Sequence, residues 1–333
     1  MLARGNAPGV FVAQPLRAAI RMSRKIRRFA PGAVIEITTR TIQGRFLLRP
    51  SRELIAVLHG IIGRALAKYG VRLHAFFFAS NHFHLIVSIQ NVRALALFMS
   101  YVNGNIARKV GRLHGWRERF WGRRYAAIEI LDEEAQIARL RYLLSHGCKE
   151  GLVADPRDWP GASCVHALLH GGPVIGTWQN QTKAWYARRA GKRFDKHSHT
   201  ERVEFELSPL PCWAHLGESE RQARVAEMVR DIVRETRELN LRNGSTPIGA
   251  NTIVAQDPHH RPDLPNKSPA PRCHTSSREL WIAFVEDYRD FAQRYHQAAV
   301  RWLDGFTDTV FPPNCFPPPL TFREPAEPAL VPS

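Results

Sequence analysis

Two hydrophobic periods share the first half of the chain. Val34-Ile35-Glu36-Ile37-Thr38-Thr39 is rich in β-branched residues and predicts a strand. Gly44 marks a turn, and Arg45-Phe46-Leu47-Leu48 predicts a second short strand. Ser51 then suits an N-cap, and Leu54, Ile55, Leu58, Ile61, Ile62 and Leu66 follow at helical spacing until Gly70. Val71 to Ala79 and His82 to Ile89 predict two apolar strands joined by a tight Ser80-Asn81 turn. A helix is expected from Val92 to Leu113, a strand from Ala126 to Leu131, and a further helix capped by Asp132 with Leu140, Leu143 and Leu144 on its apolar side. Gly147 and Gly151 weaken and close that helix. Strands and helices mixed through hairpins, without regular βαβ repeats, give an α+β pattern.

The texture changes beyond Pro173. Residues 183–202 are basic and poor in apolar side chains. Amphipathic helices are expected from Glu218 to Leu239 and from Ser276 to Leu303, separated by a proline-rich linker at 256–275 and followed by a proline-rich tail after Phe311. The expected organisation is a basic N-terminal arm (1–32), a catalytic domain (33–172) and a helical accessory region (173–333).

Composition narrows the function. At 333 residues the chain is one large domain or two ordinary ones, and 44% hydrophobic with 10% aromatic residues excludes a wholly disordered chain. No apolar run approaches the ~20 residues of a membrane span, so no membrane partner is expected. The charge of +17, from 47 Lys+Arg against 30 Asp+Glu, points to a polyanion, of which nucleic acid is the commonest. Five scattered cysteines without a C-x-x-C pair argue against a disulfide framework or structural zinc and suit a reducing, cytoplasmic compartment. Residues 1–30 carry Arg4, Arg17, Arg21, Arg24, Lys25, Arg27 and Arg28 and no acid, as a basic arm or a mitochondrial presequence would.

The chemistry concentrates at Ser80-Asn81-His82-Phe83-His84-Leu85. On a strand, His82 and His84 project to one face, where two imidazoles can grip one divalent ion; solvent-facing or core histidines are the plain alternative. Tyr142 and His146 lie four apart on an expected helix, so His146 can complete a three-histidine site with Tyr142 beside it. A tyrosine of pKa about 10 is a poor nucleophile alone, but a metal-polarised phosphate makes it adequate and yields a phosphotyrosine. Tyr125 and Tyr101 are rival nucleophiles. Tyr142 is preferred because it alone has a ligand-type residue on its own helical face. Arg117, Arg119, Arg123 and Arg124 interleave with Trp116, Phe120, Trp121 and Tyr125, a mixture suited to single strands, with guanidiniums for phosphates and rings for bases; a solvated loop over buried aromatics is the alternative. A histidine-triad hydrolase would need a third alternating histidine where Ile86 stands.

His82-Phe83-His84 resembles the histidine-hydrophobic-histidine (HUH) motif of single-tyrosine DNA endonucleases. Ile37-Thr38-Thr39-Arg40-Thr41, Phe120-Trp121-Gly122-Arg123-Arg124-Tyr125, Tyr142 through Val153 and Asp158-Trp159-Pro160 resemble further segments of the IS200/IS605-like transposases, REP-associated members included. The resemblance covers roughly residues 34–165. It implies a ferredoxin-like antiparallel sheet with packed helices, His82, His84 and His146 as ligands of Mg²⁺ or Mn²⁺, and Tyr142 as nucleophile. It also implies Arg40 and Lys149 among the DNA contacts, with Arg117, Arg119, Arg123 and Arg124. The substrate would be single-stranded or hairpin DNA, cleaved to a 5′-phosphotyrosine and a free 3′-hydroxyl, by a monomer or a homodimer. Two departures stand out: His146 replaces the usual Gln or Asn, and the common Asn-Pro after the tyrosine is absent. A domesticated, non-catalytic nucleic-acid-binding protein is the rival reading, with an RNA-binding regulator behind it.

Overall fold

The computed structural model describes residues 25–191, 199–263 and 270–319. The expected arm before Lys25, the segments 192–198 and 264–269 and the tail from 320 lie outside the described residues. The strands β1 (Val34–Arg40), β2 (Val71–Phe78), β3 (His82–Ile89) and β4 (Ala126–Ile130) form one sheet in the order β2-β3-β1-β4. Each neighbouring pair is antiparallel. Helices α1 (Arg52–Lys68) and α2 (Val92–Leu113) make the crossovers β1-α1-β2 and β3-α2-β4, which is the ferredoxin-like arrangement.

Local chemistry explains these elements. The side chains of Ser51 and Asn91 accept the Leu54 and Ala94 amides at 3.1 and 2.8 Å and start α1 and α2, a cap typically contributing about 1 kcal/mol. Alternation in β1 and β3 sends Ile35, Ile37, Phe83 and Leu85 into the α1/α2 layer, where all four are fully buried. The same alternation sends Glu36, Thr38, His82 and His84 to the opposite face. There α3 (Glu133–Leu144), capped by Asp132 onto Ala135 at 2.7 Å, crosses the sheet.

Two expectations at the N-terminal side need correction. Residues 45–48 are not a strand: the chain makes a 3-10 turn over Ile42–Gly44 and then runs irregularly. Leu47 and Leu48 are both buried from this irregular stretch, without strand pairing. The helix expected to run unbroken through Tyr142 and His146 steps at Ser145, after which α4 (His146–Lys149) resumes.

Beyond residue 172 the chain packs onto the same core. Helix α5 (Val165–His170) is followed by a hairpin that was not expected, β5 (Val174–Gln179) with β6 (Thr200–Phe205), and by α6 (Gln181–Arg189) between them. The hairpin lies on α1 through glycine contacts. A Cβ on Gly60 would sit 1.9 Å from the Thr177 carbonyl oxygen, and one on Gly176 would sit 2.2 Å from the Gly60 nitrogen. Helix α7 runs over Glu218–Asn243, longer than expected, and ends on Gly244 in the left-handed conformation. It packs behind α4 and α5; α8 (Ala250–Ala255) and α9 (Arg278–Leu303) follow. Val174, Phe205, Trp213 and Val229 join one apolar cluster with Ile37 and Phe83, so the core runs across residues 172 and 173.

Candidate active site

His82, His84 and His146 converge where β3 meets α4. Each offers a ligand nitrogen, and the three atoms lie within 4.8 Å of one another. The rings of His82 and His84 are 5.2 Å apart, as same-face neighbours on a strand should be, and His146 closes the triangle at 4.8 and 4.9 Å. His84 and His146 are buried, whereas His82 is partly open to solvent. Burial and the neighbouring imidazoles hold the pKa of His82 well below its ordinary value and that of His146 down to about 3. All three-histidine chemistry here therefore starts from at least two neutral rings, the form that ligates a metal.

The donor set fits a divalent ion. His84 Nδ1 donates to Glu36 Oε1 at 2.9 Å and His82 Nδ1 to Asn81 Oδ1 at 2.6 Å, so each leaves Nε2 as a lone pair. His82 Nε2 faces His146 Nε2 at 2.8 Å, a contact that is repulsive unless a proton or a cation sits there. The remaining nitrogen of His146, Nδ1, is buried without a hydrogen-bond partner.

Glu36 was not among the expected site residues. It is 4% exposed in the middle of β1 and receives Arg139 Nη2 at 2.8 Å on the same oxygen that holds His84. His274 Nε2 lies 2.7 Å from its other oxygen, off the line of an aligned hydrogen bond. Burial alone would raise the Glu36 pKa; the contacts from His274 and His84 and the charge of Arg139 outweigh it and hold the carboxyl well below the usual range. His274 comes from the C-terminal region, bridged onto the end of β4 by Leu131 N to His274 O at 2.9 Å. An acid inside a β-branched strand was the available signal for Glu36; His274, in a proline-rich stretch, offered none.

Tyr142 stands over the cluster, its ring 5.8 Å from that of His84 and 5.5 Å from that of His146. The Arg139 guanidinium lies 3.9 Å from the Tyr142 ring centre and Lys149 Nζ 5.0 Å from it. Burial, with the charges of Glu36 and Glu150, raises the phenol pKa, against the opposing pull of Arg139. Arg139 precedes Tyr142 by three residues, a helical spacing that could have revealed it. The rivals sit elsewhere. Tyr101 stacks on Trp178 at 6.0 Å, and Tyr125 lies under Arg27 at 3.5 Å.

Arg40 pairs in register with His82, and its carbonyl accepts the Gly122 amide at 3.0 Å, which ties the loop 116–125 to the edge of the histidine site. Arg117, Arg119, Arg123 and Arg124 are carried on this loop, while Phe120 is buried and Trp121 packs inward with its Nε1 donating to Asn103 O at 3.0 Å. The loop therefore presents guanidiniums outward and uses most of its rings as anchors.

Residues 43–144 match the model of the family described as transposase IS200 like. That stretch contains His82, His84 and Tyr142 and stops before His146. Among solved structures, the chain is similar to a REP-associated tyrosine transposase bound to a REP hairpin, at 17% identity over 44% of this chain and 85% of that one, with a TM-score of 0.34. It is also similar to a provisionally assigned transposase from Deinococcus radiodurans R1, at 16% identity over 36% and 94%, with a TM-score of 0.26. No curated protein matches the chain. No helix among the described residues is long and apolar enough to cross a membrane.

Proposed function

We propose that the chain is a transposase-like enzyme that cleaves and rejoins single-stranded or hairpin DNA, with Tyr142 as nucleophile and a divalent ion at His82, His84 and His146. The observation that carries this reading is the convergence of Tyr142 with three imidazoles, its ring within 5.5 and 5.8 Å of two of them. The family match over 43–144 supports it. When bound, the ion supplies Lewis-acid stabilisation of the charge that develops on the phosphate. Three nitrogen ligands suit Mn²⁺ better than Mg²⁺, which prefers oxygen.

The chain's own residues do the rest. Tyr142 Oη attacks phosphorus, the P–O3′ bond breaks, and the phenolic proton is matched by the proton taken up on the leaving 3′-oxygen. The products are a 5′-phosphotyrosine and a free 3′-hydroxyl, and reversal by another 3′-hydroxyl transfers the strand. Arg139, bonded to Glu36 and lying over the Tyr142 ring, orients the tyrosine and favours its ionised form. Lys149, Arg40 and the arginines of 117–124 hold phosphates near the site.

The test is incubation with hairpin-bearing single-stranded DNA and Mn²⁺. A covalent adduct should carry the 3′ label and not the 5′ label, and Tyr142→Phe should abolish it while DNA binding persists. DNA binding with no adduct in the wild type would establish the non-catalytic alternative.

A further inference from the structure

A large basic groove opens beside this site on the outer edge of the sheet. It is a cavity of about 920 Å³ between β4, the arm residues 25–29, and α9 with the preceding residues 270–272. That is near the upper end of the roughly 300–1,000 Å³ of small-molecule sites, so it has room for more than one nucleotide. Its lining holds seven Lys and Arg side chains and a single carboxylate, Glu129. Three of the cations come from the arm, three from residues 119–124, and one is Arg272. No ion pair among the described residues involves Arg119, Arg123 or Arg124.

The far wall is aromatic. Phe284 and Tyr288 on α9 stack with their rings 18° apart at 6.4 Å, and Lys25 Nζ lies 5.4 and 5.2 Å from their centres. Lys25 also donates to the Arg272 carbonyl at 2.6 Å, which fixes the arm against this wall. On the near wall Arg27 covers one face of Tyr125. Burial pushes Arg27 down to about 10, a desolvation cost that a phosphate in the groove would relieve. Cations lining a channel with rings on its wall is the arrangement that holds single strands without reading sequence.

The floor of the groove lies two strands from the histidine site. Ala126, in its lining, pairs with Thr38, and Thr38 pairs with His84. Two strand spacings, about 10 Å, therefore separate the groove floor from a proposed metal ligand. One wall belongs to α9 and residues 270–272, outside the segment that matches the transposase family.

We propose that this groove, walled by the arm at 25–29, the edge of β4 and α9, binds the single-stranded DNA that flanks the cleaved phosphate. The proposal rests on the transposase-like reading for the identity of the DNA, but not on cleavage itself. Arg123 and Arg124 meet phosphates at the entrance, Arg272 meets one further along, and Phe284 and Tyr288 offer base-stacking surface.

The test uses the full chain and hairpin oligonucleotides whose single-stranded flank is absent, short or long. Wild-type affinity should rise with flank length. Arg272→Glu should lose at least tenfold for the long flank, keep its affinity for the bare hairpin, and show a salt slope shallower by about 0.7 for each phosphate it no longer holds. Flanks carrying 5-iodouracil should crosslink on the wild-type protein to the peptide containing Phe284 and Tyr288, which covers the case in which the variant misfolds. Affinity independent of the flank together with no crosslink to α9 would overturn the proposal. Protection of the groove by polyglutamate and not by DNA would overturn it in favour of an acidic protein partner. Adduct formation on the short-flank hairpin reports separately on Tyr142, so failure of the groove and failure of the cleavage reading are distinguishable.

Discussion

Glu36→Gln is the perturbation that probes how the site is held. One Glu36 oxygen receives both His84 Nδ1 at 2.9 Å and Arg139 Nη2 at 2.8 Å, and His274 lies 2.7 Å from the other. The amide keeps the shape and one acceptor but loses the charge, and its NH₂ cannot accept from any of the three. Charge-assisted bonds are roughly twice as strong as neutral ones, so His84 loses both orientation and basicity. Changes of this kind behind a ligating histidine lower metal affinity about 10–100-fold, or about 1.4–2.8 kcal/mol. Calorimetric titration with Mn²⁺ measures it, with far-UV circular dichroism as a check on folding. His274→Gln should cost less alone, and the double variant should be non-additive because both act on one carboxylate. Unchanged Mn²⁺ affinity in a folded Glu36→Gln protein would refute the assignment of Glu36 to the support of His84.

Other expectations follow from the same geometry. His74 donates from Nδ1 to Ser208 O at 3.1 Å and accepts from Ser88 Oγ at 3.0 Å, and burial depresses its pKa to about 4. The unfolded chain therefore binds the extra proton between pH 6.5 and 4, so this contribution is complete above pH 6.5 and about 3 kcal/mol is lost as pH falls through that window. Urea melts of wild type and His74→Gln should diverge in slope against pH there, and parallel curves would show that His74 does not titrate differently in the fold. Gly60→Ala forces a methyl onto the Thr177 carbonyl and should cost about 1–3 kcal/mol in the same melts. Chelation of the divalent ion should stop adduct formation while leaving most DNA affinity, which comes from phosphate contacts; equal adduct yield in excess EDTA would remove the ion from the chemistry.

Much of the sheet was readable because its strands are apolar and bounded by clear caps. Ser51 and Asp132, read as caps, each accept the amide three residues on, and Asn91 does the same for α2 without having been singled out. The histidine pair was visible because a period of two places His82 and His84 together. The β5–β6 hairpin was not, since its strands carry polar residues such as Thr177, Gln179, Glu201 and Arg202 and depend on backbone contact with Gly60 and Gly176. His274 was invisible for a related reason: a bridge to Ile130 of β4, 144 residues earlier in the chain, brings it to Glu36. Residues 45–48 misled because two adjacent leucines are buried by an irregular turn.

The most direct measurement is the mass of the peptide that retains DNA after cleavage. Protein incubated with hairpin DNA and Mn²⁺ is digested with nuclease and trypsin, and the nucleotide-bearing peptide is sequenced by mass spectrometry. A phosphonucleotide on Tyr142 is the expected result, because that phenol alone among the three candidate tyrosines borders the imidazole cluster. The same mass on Tyr125 or Tyr101, or no modified peptide from protein that binds the hairpin, would contradict it.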